Sequence, residues 1–481
     1  MPLLCETGGI ENYVPSVDNP WNKEKIAHLY RRMAFGASIE TVNNALSEEP
    51  TDLVDSLIDS AIATALTPEP EWAFWSFDDY DDFAAESPLQ RTFLYKQFML
   101  DMLNNGLRDK MTLFWSNHFV TELQVYNCPS YMWQYYTLLQ QHALGNFKTF
   151  VQEVGLTPAM LIYLNGFENT SEEPNENYAR ELYELFTLGE NNNYTQTDIV
   201  ETSRALSGYV GITEYCGEIS FVEADHDAEE KTIFGQTGNW GYQDVIDILF
   251  EQRADEIAGH ICKKLYQFFV GHNVDDAIVD EMKTTFIDND FEIAPVLRQL
   301  FKSEHFFDED IIGVQIKSPM ELALSFVTET GFSLNDEALE GLAYLNSVLG
   351  QVLFDPVDVA GWQGDHDWIN ASTLTGRWLT IEYYVFAIYN GFPDELQTLV
   401  DAIIGEESND PAFVTKEIID YFIPNGLQTV DAYIEATEVF KWEVPENYYD
   451  SGLWNLTWNT VPAQVAVLLA HLSKIPEFQL H

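Results

Sequence analysis

The sequence predicts a mainly α fold: one large multi-helix domain with a small β-hairpin insertion and an irregular loop rich in Trp and Gly. Three observations carry that expectation. Apolar residues recur at helical spacing through most of the chain, Pro and Gly punctuate those runs, and one stretch alternates with the period of a strand. At 481 residues, 46 % of them hydrophobic, the chain can bury a sizeable core, so disorder is not the default. Aromatics make up 14 %. Large rings mostly pack cores; a sugar- or ring-binding surface is the second reading. No apolar run approaches the roughly 18 residues of a spanning helix, so a soluble chain without a transmembrane segment is expected.

The elements follow in order. Residues 1–24 form an N-terminal extension, and 25–86 hold N-terminal helices ending in the acidic linker "WSFDDYDDFAAES". A helical core over 87–392 begins with "SPLQRTFLYKQFMLDMLNNG", where Ser87 is the expected N-cap, Pro88 the first helical residue and Gly106 the stop. "LRDKMTLFWSNHFV" continues as a second helix. "TPAMLIYLNG" repeats the punctuation with Thr157, Pro158 and Gly166, and Thr195 with Asp198 spells a capping box. Further helical runs fall at about 242–270, 274–303, 317–350, 373–404, 409–422 and 461–474, with residues 393–481 as C-terminal helices on the core. Between Tyr209 and Gly235, alternation around Ile219, Phe221 and Val222 predicts a hairpin with an acidic loop. "FDPVDVAGWQGDHDWINAS" predicts a packed loop with its own small core.

Charge narrows the function. Lys and Arg number 23 against 78 Asp and Glu, a net charge of −55. Such a surface repels nucleic acid and anionic lipid, and suits a salty medium that screens charge over about 8 Å. It also attracts divalent cations. The cysteines, Cys5, Cys128, Cys216 and Cys262, lie far apart without a CxxC, so isolated buried thiols are expected. The N-terminus lacks a basic region followed by an apolar run, so it is not a signal peptide as written, and cytoplasm is the default location. GxSxG, P-loop, Rossmann and HExxH patterns are all missing.

One stretch concentrates polar chemistry: "PNENYARELYELFTLG", Pro174 to Gly189. With Asn177 at zero on a helical wheel, Glu181 falls near 40°, Glu184 near −20° and Arg180 near −60°, as rough projections. Tyr178, Leu182, Leu185 and Phe186 take the other side. A solvated face of weak ion pairs is the plain reading. Asn177 is a poor choice for that, and Asn175 stands near an N-terminus with free backbone donors. The polar face is therefore expected to turn into a cleft, with Glu181 and Glu184 as candidate catalytic groups and Asn175, Asn177 and Arg180 as binding groups.

That stretch closely resembles the signature of the bacterial family catalogued as domain of unknown function 1800. "HLYRRMAFG", "MTLFWSNHFV", "DHDAEEKTIFG", "CKKLYQFFV", "IKSPMELALSF" and "LFDPVDVAGWQGDHDWINASTLTGRW" are similar to further motifs of that family, in its order. The resemblance implies a largely helical fold and carries no established activity. It also implies a sulfatase- or phosphatase-like protein encoded nearby as a partner, and frequent export among relatives. Ser116 stands where the family's aromatic motif often has a first His, leaving His118 alone; Gln363 and Asp365 depart from its tryptophan loop.

His226 lies among carboxylates in "ADHDAEEK", where Asp227 is placed to orient it, so both join the candidate catalytic set. His118, Glu181, Glu184 and His226 would supply a divalent metal if they converged, although the Glu-x-x-His spacing of helical metal sites is absent. The metal-free version has Arg180 with Arg31 or Arg32 gripping an anion while a Glu acts as base. Trp362 completes the binding set. The expectation is a hydrolase-type enzyme with a polar Asn/Arg/Glu/His cleft, working with or without a divalent metal. The alternative is a non-catalytic accessory protein working with the sulfatase- or phosphatase-like partner at the cell surface.

Overall fold

Short polar side chains set where many helices begin. Asn22, Ser38, Thr157 and Ser318 each accept a backbone N–H from the first turn of the helix that follows. The computed structural model describes residues 8–212 and 215–481. The predicted mainly α fold is found: helices run from Lys23–Met33 to Val461–Leu472, with two small two-stranded antiparallel sheets. Thr195 forms the expected capping box with Asp198 and opens the Gln196–Ala205 helix.

Two readings of the helices need correction. The long helix runs Phe83–Asn104, not from Ser87, because Asp82 accepts the Ala85 N–H and caps it earlier; Pro88 lies inside. Most of the long predicted runs also divide in two. The first splits at Arg253, between Tyr242–Gln252 and Ala254–Phe269. The third splits at Gly331, whose φ of 69° stops Pro319–Thr330 before Asp336–Val348 begins. Periodicity continues across such breaks because both helices face one core.

The expected hairpin pairs β1 (Tyr209–Gly211) with β2 (Ile219–Phe221). A second hairpin, not foreseen, pairs β3 (Lys231–Ile233) with β4 (Gln236–Gly238) around Phe234 and Gly235, both at positive φ. Cys128 and Cys216 form a disulfide that ties the β1–β2 connection to the start of the Pro129–His142 helix. The expectation of isolated thiols therefore fails for this pair: 88 residues of separation say nothing about packing distance. Cys262 is a buried free thiol, and Cys5 lies outside the described residues.

The core is continuous and aromatic. Trp115 stacks on Phe119 and Phe147 and meets Phe150 edge-on, with centroids 5.3–5.8 Å apart. The last strand-like residues close the molecule on its centre. Leu480 bridges Ile316, the Gln315 N–H donates to the His481 carbonyl, and Arg377 donates to Gln479 and the Lys317 carbonyl. Among the described residues no helix is long and apolar enough to cross a membrane.

Candidate functional site

The Asn-rich helix begins with structural work. The Asn175 carboxamide accepts the Asn177 N–H, and Asn177 donates to the Leu164 carbonyl at the end of the preceding helix. Arg180 lies between Glu176 at 3.1 Å and Glu184 at 3.3 Å, and also reaches Gln196. These groups are one-quarter to two-fifths exposed, so each pair is worth about 0–1 kcal/mol. Glu181 is half-buried; burial, and then the neighbouring Glu184, push its carboxyl up.

The other end of this helix matters more. After Glu181 it widens into a π-helical turn, Leu182–Thr187, in which Leu188 bonds back to the Tyr183 carbonyl. The Leu185 and Phe186 carbonyls accept side-chain donors instead. His260 reaches the first and His118 the second, each through Nε2 at 3.0 Å. A carbonyl only accepts, so Nε2 of His118 carries the proton and Nδ1 is left as an acceptor. Lys264 Nζ lies 3.3 Å from that Nδ1.

His118 and Lys264 stand in the wall of a cleft of about 230 Å³. Four separate stretches build most of it: "FWSNHF" supplies Phe114, Asn117 and His118; "CKKLYQFF" supplies Lys264, Gln267 and Phe268; "IKSPME" supplies Ser318 and Glu321; the tryptophan loop supplies Trp362, Asp365 and Trp368, and His272, Gln315 and Gln351 complete the lining. Asn117 clasps that loop, accepting the Trp362 N–H at 2.6 Å and donating to its carbonyl at 3.0 Å. Gly361 makes the clasp feasible. Its φ is 76°, and a Cβ there would lie 2.3 Å from the Asn117 carboxamide oxygen.

Burial sets the charges. His118 is held well below the ordinary imidazole range by burial and then by the nearby Lys264, so it is neutral. Burial and Lys264 also lower His260, to about 4. Lys264 itself is lowered by burial to about 8. In the floor, Glu321 accepts from Lys110 at 2.6 Å and from the Ser318 N–H at 2.8 Å. Burial pushes Glu321 up, but Lys110 and His481 outweigh it and keep the carboxyl well below the usual 4.5.

Of the residues singled out in the sequence, His118 and Trp362 border this cleft. The others are engaged elsewhere. His226 Nδ1 is 3.0 Å from the Ser207 carbonyl, and Asp227 accepts from Arg204 at 2.7 Å, which fastens the hairpins to the Gln196–Ala205 helix. Arg31 is buried against Glu329 at 2.5 Å and the Tyr421 carbonyl. Arg32 donates to Gln315, a cleft residue, and to the Val270 carbonyl. Arg180 pairs with neither arginine's partners. Among the described residues no three His, Cys, Asp or Glu are grouped to hold a metal ion, so His118, Glu181, Glu184 and His226 do not form such a set.

Lys264, Asn117 and Glu321 escaped the sequence reading. Lys264 had a signal: it follows Ile257 by seven residues and Ile261 by three, and precedes Phe268 by four, so it sits on the apolar stripe of its helix. A lysine there is either buried or bordering a cavity.

The chain is a mainly α protein whose helices and irregular loop enclose this cleft. A family model described as "Protein of unknown function (DUF1800)" matches residues 28–480, and the chain belongs to that family. Comparison with curated proteins found no match, and comparison with solved structures found none.

Proposed function

We propose that the cleft is the active site of a hydrolase-type enzyme in which Lys264 is the proton donor. The observation that carries this is the Lys264–His118 contact at 3.3 Å inside a pocket. The Phe186 carbonyl fixes the His118 tautomer, so Nδ1 orients the ammonium without taking its proton. With its pKa lowered to about 8, Lys264 is still charged at pH 7 yet gives up a proton more readily than an ordinary lysine. Protonating a leaving group as its bond to the substrate breaks, and stabilising negative charge that develops beforehand, both suit that group. Phe114, Phe268, Trp362 and Trp368 supply apolar walls for the organic part.

Amine acylation followed site by site across pH tests this. Lys264 is expected to become reactive as pH rises through about 8, ahead of the exposed lysines. Once a turnover assay is found by screening chromogenic esters, amides and glycosides, activity is expected to fall above pH 8. A Lys264 that titrates near 10.5 would remove the proposal.

The accessory reading has one observation in its favour. Leu379, Tyr383 and Phe386, at i, i+4 and i+7 on the Ala371–Gly391 helix, are 58 %, 68 % and 38 % exposed. Such a stripe suits a partner, and a sulfatase- or phosphatase-like protein is the one the family resemblance implies. The Cys128–Cys216 disulfide supports residence in an oxidising compartment. Co-purification with that partner, lost in Tyr383→Asp and unaffected by Lys264→Met, would favour this reading.

A further inference from the structure

Cations are rare in this chain, 23 against 78 carboxylates, yet they gather around one cleft. Lys264 is in its wall. Arg32 lies behind Gln315, Lys110 behind Glu321, and Arg377 holds the Lys317 carbonyl between those two floor residues. Three carboxylates stand near them: Glu321 is taken by Lys110 at 2.6 Å and Glu329 by Arg31 at 2.5 Å, and Asp365 lines the cleft without pairing to any of these cations. Among the described residues, Arg32, Arg377 and Lys264 have no carboxylate within ion-pair distance. Arg32 Nε and Arg377 Nη1 are buried without any hydrogen-bond partner. Lys317, among the same charges, is lowered by burial to about 7.

Buried cations without counter-ions are costly, by several kcal/mol each before compensation. Elsewhere the chain spends carboxylates freely: Lys441 faces both Glu438 and Glu446, and Lys283 faces Asp255 and Asp280. The excess of positive charge is therefore local to the cleft. Asp365 also borders the cleft, beside His366 at 3.7 Å. The amide side chains of Gln267 and Gln351 border it as well, and Trp362, Trp368, Phe114 and Phe268 give it an aromatic lining.

We infer that the cleft binds a small organic anion, a carboxylate or an oxyanion ester on a ring, with Lys264 as the direct contact and the buried arginines as the field behind it. This rests on the reading of the cleft as the functional site. It adds the charge of the substrate, which the proton-donor role does not require. The chain's overall charge repels anions at long range, so selection has to come from this local field.

Calorimetric titration of the full chain at pH 7 and 0.15 M salt with benzoate, phenyl phosphate, phenyl sulfate and neutral benzamide tests it. At least one anion is expected to bind tenfold or more tightly than benzamide. Whichever anion binds tells the carboxylate from the ester. Lys264→Gln is expected to lose at least tenfold of that affinity, and Lys264→Arg to retain most of it although, keeping the buried charge, it unfolds at a temperature no higher than Lys264→Gln. Benzamide binding as well as every anion, no anion binding at all, or Lys264→Gln binding unchanged would overturn the inference. If Lys264 still acylates through pH 8 in that event, the proton-donor reading stands and the anion alone is lost.

Discussion

His118 and His226 make an instructive pair. His226 has carboxylates on both sides in sequence, and in the structure those neighbours serve closure: His226 meets Ser207, and Asp227 meets Arg204. His118 has no charged sequence neighbour, yet it meets Lys264, 146 residues away. Residues adjacent on a hairpin are held together by the chain and are spent on local stability. A site needs groups brought together by packing, whose sequence signature is a polar residue on an apolar stripe. The hairpin region and the cleft should therefore respond differently to substitution.

The hairpin region gives the largest effect. Replacing both Cys128 and Cys216 with Ala opens a bridge spanning 88 residues, and the chain-entropy model sets the loss at about 4–5 kcal/mol. Denaturant unfolding should show it, while acylation of Lys264 in the native state stays unchanged. A change in Lys264 reactivity would mean that the two regions are coupled.

Next is the cleft floor. Glu321→Leu leaves Lys110 buried and unpaired, with a loss of about 3–5 kcal/mol. Its pH dependence has a definite sign. The Glu321 carboxyl lies below its ordinary 4.5 in the folded chain, so its contribution is complete above pH 4.5 and is lost as pH falls below that. The stability gap between wild type and variant should close on acidification. Gly361→Ala comes third. It puts a Cβ against Asn117 at a φ of 76°, costing about 1–3 kcal/mol. Tryptophan fluorescence should report displacement of Trp362, and anion binding should fall with it.

Lys264→Met reverses the direction. The folded chain holds Lys264 near 8 against 10.5 when unfolded, so at pH 7 the charged amine opposes folding. Stability due to this residue rises from pH 8 to 10.5 and is lost as pH falls through 8. The variant should gain about 1–2 kcal/mol at pH 7 and lose that alkaline rise relative to wild type. A gain in stability with loss of function marks a residue kept for chemistry.

Much of the fold was legible because it rests on local rules. Thr195 with Asp198 and Thr157 with Pro158 marked helix starts that the structure keeps. Ser87 with Pro88 misled, since Asp82 caps first and the early "FAAE" extends the helix. Of the residues that line the cleft, His118 stands out in the sequence as a lone His among aromatics and Trp362 as part of the tryptophan loop. The Phe186 and Leu185 carbonyls were not, because a backbone acceptor has no letter in a sequence. Nor was the shared cleft of four stretches, since order along the chain does not encode packing distance.

The smallest effect tests the plain reading of the helix that drew attention first. Arg180 bridges Glu176 and Glu184, each four residues away, at distances of 3.1 and 3.3 Å and with a third of its surface in solvent. Pairs of this kind couple by about 0.3–0.5 kcal/mol, and salt screens them. A double-mutant cycle with Arg180→Gln and Glu184→Gln should give that coupling at low salt and almost none at 1 M, with anion binding in the cleft untouched. The helix then acts on the cleft through its carbonyl end, which orients His118 and His260, while its charged face is a solvated surface. A coupling of 2 kcal/mol or more, or a tenfold change in anion affinity, would place that face in the site after all and dissolve the contrast between sequence-adjacent and packed-together groups.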